Sequence, residues 1–300
     1  MYIYNIMPRE NIKPSTETSN LDIFLKLHRT KTGQKYTHTS IGSPPLSCHI
    51  PDIKLEEFQT LYYNHIFVEG KKAQLTEGIK DCTFTPVKID IDLRYFQSKD
   101  LSDPTRIYEM DDIIKVCQLY MEIMENWIGT PDQEERQCFI LEKKRPRFDL
   151  DKNKNIKTDD VGNKKVKDGV HIMFPYIITN TFLQLMFRKN LLIKINTILD
   201  KYGFSNSYVD IFDKCVIDRN NWQMYGSGKS NVSQVYTVTK IIESYNDHYN
   251  DVSNLLINKY DSKTLCKLLS VRNHTQQSTI RNDKKEYLHE LEKKNHTKQQ

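Results

Sequence analysis

The cleanest alternation of apolar and polar residues in this chain runs from Pro86 to Tyr95. There Val87, Ile89, Ile91 and Leu93 are separated by Lys88, Asp90, Asp92 and Arg94. A period of two predicts a half-buried strand, read here as Phe84 to Tyr95. Residues i and i+2 share a strand face, so Asp90 and Asp92 project side by side away from the apolar set. The same reading predicts strands at Ala73–Glu77, Gln137–Glu142, Gly169–Pro175 (ended by its proline) and Val235–Val238.

Helical spacing dominates elsewhere. Ile113, Val116, Leu119, Tyr120, Ile123, Met124 and Trp127 recur at i, i+3, i+4 and i+7, predicting a helix over Asp111–Trp127 that Gly129 and Pro131 stop. Asn180–Tyr202 is a second long helix, closed by Gly203, with Phe182, Leu185, Met186, Leu192, Ile195 and Leu199 toward the core. Shorter helices are read at Leu21–Leu27 (capped by Asn20), Leu55–His65, Val252–Ile257 and Lys263–Val271. Residues 10 to 20 are polar and loose, and Ile41–Pro45 is a turn. Lys143 to Lys165 is hydrophilic and reads as a long exposed hairpin connection. From Arg272 onward only a marginal helix at Lys284–Lys294 interrupts a polar tail or linker. Strands alternating with helices place the chain in the α+β or α/β class.

Three hundred residues suffice for a sizeable core. A formal charge of +5 is compatible with a polyanionic partner without requiring one. Cys48, Cys82, Cys117, Cys138, Cys215 and Cys266 are scattered, with no C-x-x-C pair, which points to reduced thiols in a cytosol-like compartment and away from a zinc module. No apolar run approaches the roughly 18 residues that span a bilayer. Met1–Glu10 lacks the layout of a signal peptide. The expectation is a soluble intracellular protein.

Two carboxylates side by side repel, and the arrangement becomes favourable when hard Mg²⁺ or Mn²⁺ sits between them. On its own, the Asp90-x-Asp92 pair also fits a solvated face or the D-x-D of a sugar-nucleotide glycosyltransferase. Asp151, Asn153 and Asn155 superficially suggest a calcium loop, but Ile156 stands where glycine is required and Gly162 where a bidentate glutamate is required. Gly226-Ser227-Gly228-Lys229-Ser230 lacks the first glycine of a P-loop, its place being taken by Gln223, and reads as a turn between strands.

Three blocks belong together: Ile89-Asp90-Ile91-Asp92, then Lys167-Asp168-Gly169-Val170-His171, then Val209-Asp210-Ile211-Phe212-Asp213 with Arg219 to Lys229. Their order resembles the archaeo-eukaryotic primase superfamily, with its h-D-h-D strand, small-x-His strand, and h-D followed by a basic strand. The wording K-D-G-h-H and N-N-W-h-h-Y-G-S-x-K, with L-L-S-h-R-N at Leu268–Asn273, is similar to the primase domain of the helicase-primases of nucleocytoplasmic large DNA viruses. The resemblance implies an RRM-like antiparallel sheet carrying Asp90, Asp92 and Asp213, packed with an N-terminal α/β unit whose strand carries His171. It implies a two-metal site using Mg²⁺ or Mn²⁺, with Asp90, Asp92 and a third carboxylate as ligands. Asp213 fits the family spacing better than Asp210, and Asp218 is a weaker third choice.

The resemblance further implies that His171, Lys167, Arg219, Ser227 and Lys229 contact the triphosphate of an incoming nucleotide. The family pattern carries an extra arginine where this chain has Trp222-Gln223, which puts the role of Arg219 in question. Arg94 could equally neutralise the carboxylates or touch template phosphate. The implied partners are a single-stranded DNA template, NTPs or dNTPs, and a superfamily 3 helicase in the same or an associated chain. The implied setting is viral DNA replication in a host cytoplasm or viral factory. The expected organisation is an N-terminal extension over 1–65, a primase domain over 66–273 and a tail over 274–300. The rival to a catalytic primase is a non-catalytic nucleic-acid-binding module that supports a helicase.

Overall fold

The computed structural model describes residues 19–42, 45–129, 136–229, 234–245, 248–256, 259–272, 274 and 276–297. Residues 1–18, Pro44, Pro131, Ser230, Ile257 and Asn273, which enter the readings above, lie outside them.

The apolar alternation builds a large antiparallel sheet. Its strands are β4 (Thr85–Gln97), β5 (Gln137–Glu142), β7 (Lys164–Thr179), β9 (Thr237–Tyr245) and β10 (His248–Asp251) in the order β10-β9-β5-β7-β4, with β6 (Arg147–Phe148) paired to β7. One face carries Val87, Ile89, Ile91, Leu93 and Tyr95 of β4 with Val166, Val170, Ile172 and Phe174 of β7. Onto it pack α3 (Met110–Glu125), through Ile113, Val116, Tyr120 and Met124, and α4 (Thr181–Lys194), through Leu183, Phe187 and Leu191. Burying these side chains supplies most of the stabilisation, at about 25 cal/mol per Å² of apolar surface. The opposite face is mixed. Phe139, Leu141, Met173 and Ile241 form a second core with Val216, Ile217, Trp222, Leu265 and Leu269, while the end of the face near Asp92 is polar.

A smaller antiparallel sheet, β2-β1-β3-β8, covers that second core. It is built from β1 (His38–Ser40), β2 (Ser47–Cys48), β3 (Leu75–Glu77) and β8 (Trp222–Gln223). With it pack α1 (Asn20–Leu27) and α2 (Leu55–Tyr63), around Phe24, Phe58, Tyr62, Leu75 and Met224. The boundary expected at residue 65 therefore runs through one sheet, because β1 pairs with β3 and β3 with β8.

Several elements depart from expectation for physical reasons. Helix α1 is capped by Ser19, whose Oγ accepts from Asp22 N at 3.1 Å while Asp22 reciprocates, rather than by Asn20. Pro175 does not end β7: the β4 ladder jumps from Phe174 to Ile178, so the proline sits in a bulge where no N–H is needed. The long helix divides into α4, α5 (Asn196–Leu199) and a 3₁₀ turn (Asp200–Tyr202) that ends at Gly203, with φ 58°. Between these helices and the next elements stand α6 (Tyr208–Ile211) and α7 (Cys215–Asp218), and after β10 come α8 (Ser253–Leu256) and α9 (Ser262–Leu268). The strand expected at Val235–Val238 begins only at Thr237, as the first strand of the β9–β10 hairpin. The expected tail contains α10 (Asn282–Thr297), docked through buried Leu288 and a stack of Tyr287 on Trp127.

His171 does not belong to a separate N-terminal unit: it lies on β7 beside β4 in the large sheet. Asp213 lies in the loop after α6 rather than on a strand. All six cysteines are free thiols. Among the described residues no helix is long and apolar enough to cross a membrane.

Lys88 is fully buried in β4, donating to Thr85 Oγ1 at 2.9 Å and Gln184 Oε1 at 3.5 Å. Burial pushes its ammonium down to about 7. The unfolded chain therefore binds one more proton than the fold between about pH 7 and 10, and stability rises with pH across that window. Lys88→Met keeps the length and removes the buried charge. It is expected to flatten that rise and to add about 1–2 kcal/mol at pH 7, measured by urea unfolding at several pH values.

Candidate active site

The polar end of the second face is organised by strand register. Asp90 stands directly opposite His171, Asp92 opposite Gly169, and Arg94 opposite Lys167. The far edge of β4 is closed by the segment that carries the third block. Asp213 N donates to the Asp90 carbonyl at 3.0 Å, Asn206 Nδ2 to the Asp92 carbonyl at 2.8 Å, and Ser205 N to the Arg94 carbonyl at 2.6 Å. Arg188 of α4 pins the segment from behind, donating to Phe212 O at 2.7 Å and Val209 O at 2.8 Å. Asp213 is thereby held beside Asp90. Asp210 faces away, its carboxylate accepting from Ser207 Oγ at 2.7 Å, and Asp218 is paired with Lys214 and Arg219.

Asp90 is the electrostatic centre. Burial first, then the charges of Asp92 and Asp213, push its carboxyl up to about 7, against the pull of Lys229 and Lys167. Its Oδ1 is buried and accepts no hydrogen bond, and the His171 Nε2 at 3.5 Å is too far to supply one. Asp92 is better compensated, with Lys167 Nζ at 3.3 Å. Asp213 Oδ1 accepts from Cys215 N at 2.8 Å. Among the described residues no group of three or more His, Cys, Asp or Glu side chains is placed to hold a metal ion unaided. An orphaned anionic oxygen among three carboxylates nevertheless fits a divalent cation that draws its remaining ligands from substrate oxygens and water, as Mg²⁺ commonly does.

Cations ring the carboxylates. His171 is stacked on Tyr236, 3.6 Å between ring centroids, with the Trp222 ring tilted against it at 4.6 Å. Burial, then Lys143 and Lys229, hold its imidazole well below its usual range, so it is neutral at pH 7. Lys143 lies over the Tyr236 ring at 4.3 Å, and burial followed by Lys229 and Arg147 brings its ammonium down to about 8. Lys229 is exposed.

The K-D-G block now has a physical explanation. Lys167 faces the carboxylates, while Asp168 points to the opposite face and binds Arg106. Gly169 leaves room for Tyr236: a Cβ there would stand 2.8 Å from Tyr236 Oη and 3.1 Å from Ile91 O.

Two residues expected at a triphosphate already have protein partners. Ser227 is fully buried, its Oγ 2.8 Å from Tyr62 Oη and accepting from Leu75 N at 2.9 Å. Its hydroxyl locks the 224–229 turn to β3 and α2 and is not available to a ligand. Arg219 is exposed and engaged by Asp218 and Cys215. Conversely, Lys143, Tyr236 and Arg106 were missed by the sequence reading. Only Lys143 left a signal, as the first residue beyond the Gln137–Glu142 strand.

Residues 37–242 match the family described as the C962R protein N-terminal AEP domain, a span that includes every residue of this site. The chain is 30% identical over 254 residues to "Putative helicase L207/L206" of Acanthamoeba polyphaga mimivirus, covering 82% of this chain and 24% of that protein. It is 24% identical over 250 residues to the similarly named 184R of Invertebrate iridescent virus 6, covering 74% and 23%. With 121R of Invertebrate iridescent virus 3, also named a helicase, it shares 24% identity over 218 residues, covering 69% and 21%. The chain thus spans about a quarter of the length of the curated relatives it matches. A β4 bearing Asp90 and Asp92, a β7 bearing Lys167, Gly169 and His171 in register with it, and a family match across both establish that this chain belongs to the archaeo-eukaryotic primase superfamily, in the C962R-type N-terminal AEP family.

Proposed function

We propose that this chain is the catalytic domain of a primase or primase-polymerase, joining nucleotides on a single-stranded DNA template in viral DNA replication. The observation that carries the reading is the unpartnered, buried Oδ1 of Asp90, flanked by Asp92 and Asp213 and ringed by Lys143, Lys167 and Lys229. Carboxylates with cations around them suit a nucleoside triphosphate bound through a divalent metal, because the metal takes the acid oxygens while the lysines take phosphate charge. Asp90, Asp92 and Asp213 would hold Mg²⁺ or Mn²⁺, which supplies charge neutralisation at the attacking and leaving oxygens of an in-line displacement.

The chain's own residues position the reactants. Neutral His171, fixed between Tyr236 and Trp222, offers a ring N–H to a phosphate oxygen without adding charge. Lys167 can move from Asp92 to phosphate once a cation compensates that carboxylate. The partial desolvation of Lys143 strengthens its attraction for phosphate. By analogy with the names of its viral relatives, the domain works beside a helicase.

A second reading, a nucleic-acid-binding module without catalysis, is favoured by the finding that, among the described residues, no group of three or more His, Cys, Asp or Glu side chains is placed to hold a metal ion unaided. Primer synthesis separates the two. The full chain with single-stranded DNA, labelled nucleotides and Mn²⁺ or Mg²⁺ is expected to yield primers that vanish in the double variant Asp90→Ala, Asp92→Ala. Intact DNA binding with no product in the wild type would favour the binding module.

A further inference from the structure

Lys229 ends a turn that two glycines, Gly226 and Gly228, make pliable. Its ammonium is exposed, yet its charge pulls the Asp90 carboxyl down and depresses both His171 and Lys143. A side chain on such a turn stays beside three site residues only if the turn is anchored. The backbone anchors lie on β3 and the residues before it. Met224 N donates to Leu75 O at 3.1 Å and Gly228 N to Ala73 O at 2.9 Å, on either side of a reversal at Gly226, where φ is 82°. Gln223 Nε2 donates to Ser227 O. Phe67 closes the outside, stacked on Tyr225 at 5.8 Å between ring centroids, and a Cβ at Gly226 would stand 3.0 Å from its Cζ.

Behind the turn, a chain of hydrogen bonds runs through Tyr62 of α2. Leu75 N donates to Ser227 Oγ at 2.9 Å, Ser227 Oγ stands 2.8 Å from Tyr62 Oη, and Tyr62 Oη donates to Tyr225 O at 2.8 Å. Since the Tyr62 proton goes to Tyr225 O, the Ser227 hydroxyl donates to Tyr62, and each hydroxyl serves once as donor and once as acceptor. Burial holds the Tyr62 phenol well above its usual range, so it keeps that proton. Tyr62 and Ser227 are both fully buried, and breaking the chain leaves a polar group without a partner. Packing does not call for the hydroxyl: the ring of Tyr62 sits in an apolar core with Phe24, Phe58 and Leu75, where a phenylalanine would serve. Both partners of the hydroxyl lie in the turn that ends at Lys229.

We propose that Tyr62 is a positioning residue for Lys229: its hydroxyl, through Ser227 and the Tyr225 carbonyl, holds the 224–229 turn in the path that presents the ammonium to a nucleoside triphosphate. The inference rests on the proposed function for the triphosphate and gives α2, which stands in the region expected to be an extension, a part in binding it. Tyr62 touches no substrate. Its effect therefore appears in nucleotide affinity and vanishes when residue 229 has no charge to place.

The test is a double-mutant cycle on the binding of ATP with Mn²⁺ to the full chain, followed by calorimetry. Lys229→Ala is expected to weaken binding about tenfold. Tyr62→Phe, which removes a single oxygen, is expected to weaken it about fivefold. The two together are expected to bind no more than about twofold more weakly than Lys229→Ala alone, because the second change has nothing left to misplace. Ser227→Ala cuts the same chain and is expected to match Tyr62→Phe, so the outcome does not hang on the folding of one variant. Val116→Ala, in the core on the other face of the large sheet, is expected to lower the melting temperature at least as much as Tyr62→Phe and to bind ATP like the wild type. Wild-type affinity in Tyr62→Phe and Ser227→Ala, a loss that persists in the Lys229→Ala background, or an equal loss in Val116→Ala would overturn the proposal and leave the proposed function standing. No binding by the wild type, or full affinity in Lys229→Ala, would sink the triphosphate reading of Lys229 and the positioning role with it.

Discussion

Asp90→Asn is expected to abolish nucleotide incorporation and, at the same time, to make the cation-free protein more stable. The two effects share one cause. The Asp90 carboxyl is pushed up to about 7 by burial and by Asp92 and Asp213, and its Oδ1 has no donor. A carboxyl whose folded value lies above its unfolded value costs stability as pH rises from about 4 through 7, because the unfolded chain gives up the proton first. Asparagine removes that charge at constant shape. Discounting for the 19% of the side chain that solvent reaches, the gain at pH 8 is about 1–3 kcal/mol, shrinking toward zero below about pH 5. The loss in rate follows from the missing cation ligand. Several kcal/mol of transition-state stabilisation correspond to about 10³-fold in turnover. Urea unfolding in EDTA at pH 5 and pH 8, beside single-turnover incorporation, checks both halves. A variant that is both less stable and active would refute the account of Asp90.

Arg106→Leu is expected to cause the largest stability loss of any single substitution near the site. Arg106 forks onto Asp168, Nε to Oδ2 at 2.8 Å and Nη2 to Oδ1 at 3.2 Å, and reaches Glu142 Oε1 at 2.5 Å and the Lys143 carbonyl at 2.9 Å. The two acids are almost completely buried, with side-chain exposures of 0% and 6%. Tyr108 and Thr239 complete the shell of Glu142 at 2.6 and 2.7 Å. Leucine would fill part of the volume but leave two carboxylates without a counter-charge, at a cost of about 3–5 kcal/mol. For a chain of this size that is roughly a 10 °C fall in melting temperature. Arg106 also ties the ends of β5 and β7 together, so Lys143 and Gly169 should shift and incorporation fall with it. Replacing both acids along with the arginine (Arg106→Leu, Asp168→Asn, Glu142→Gln) should recover part of the stability, because no buried charge is then orphaned. A fall under 1 kcal/mol for Arg106→Leu would show that solvent reaches these acids.

What was legible in the sequence was local. The alternation Val87 to Leu93 assigned faces correctly, and the same parity turned Lys167, Gly169 and His171 toward the acids. The pairing of Asp90 with His171 was not legible, since about 80 residues separate them and only the ladder sets which residues meet. Asp213 is preferred to Asp210 in the sequence on family spacing alone; the backbone hydrogen bond that holds it beside Asp90 at the edge of β4 leaves no mark on side-chain pattern. Ser227 misled because a serine beside glycines and a lysine looks like a phosphate loop, whereas its hydroxyl is consumed by Tyr62 and the Leu75 amide. Pro175 misled because a proline is compatible with a strand interior at a bulge, and bulges are a property of the partner strand. Of the small sheet only β3 is legible, within the strand read at Ala73–Glu77; β1, β2 and β8, two or three residues each, fall below any periodic signal.

The most direct measurement is a calorimetric titration of Mn²⁺ into the full chain, with and without a nucleoside triphosphate, for the wild type and Asp90→Asn. The account predicts weak binding by the wild type alone, binding at least about tenfold tighter when triphosphate supplies the missing oxygens, and neither in the variant. Equal Mn²⁺ binding by both proteins, or none by the wild type with triphosphate present, would show that the Asp90 carboxylate is not a cation site.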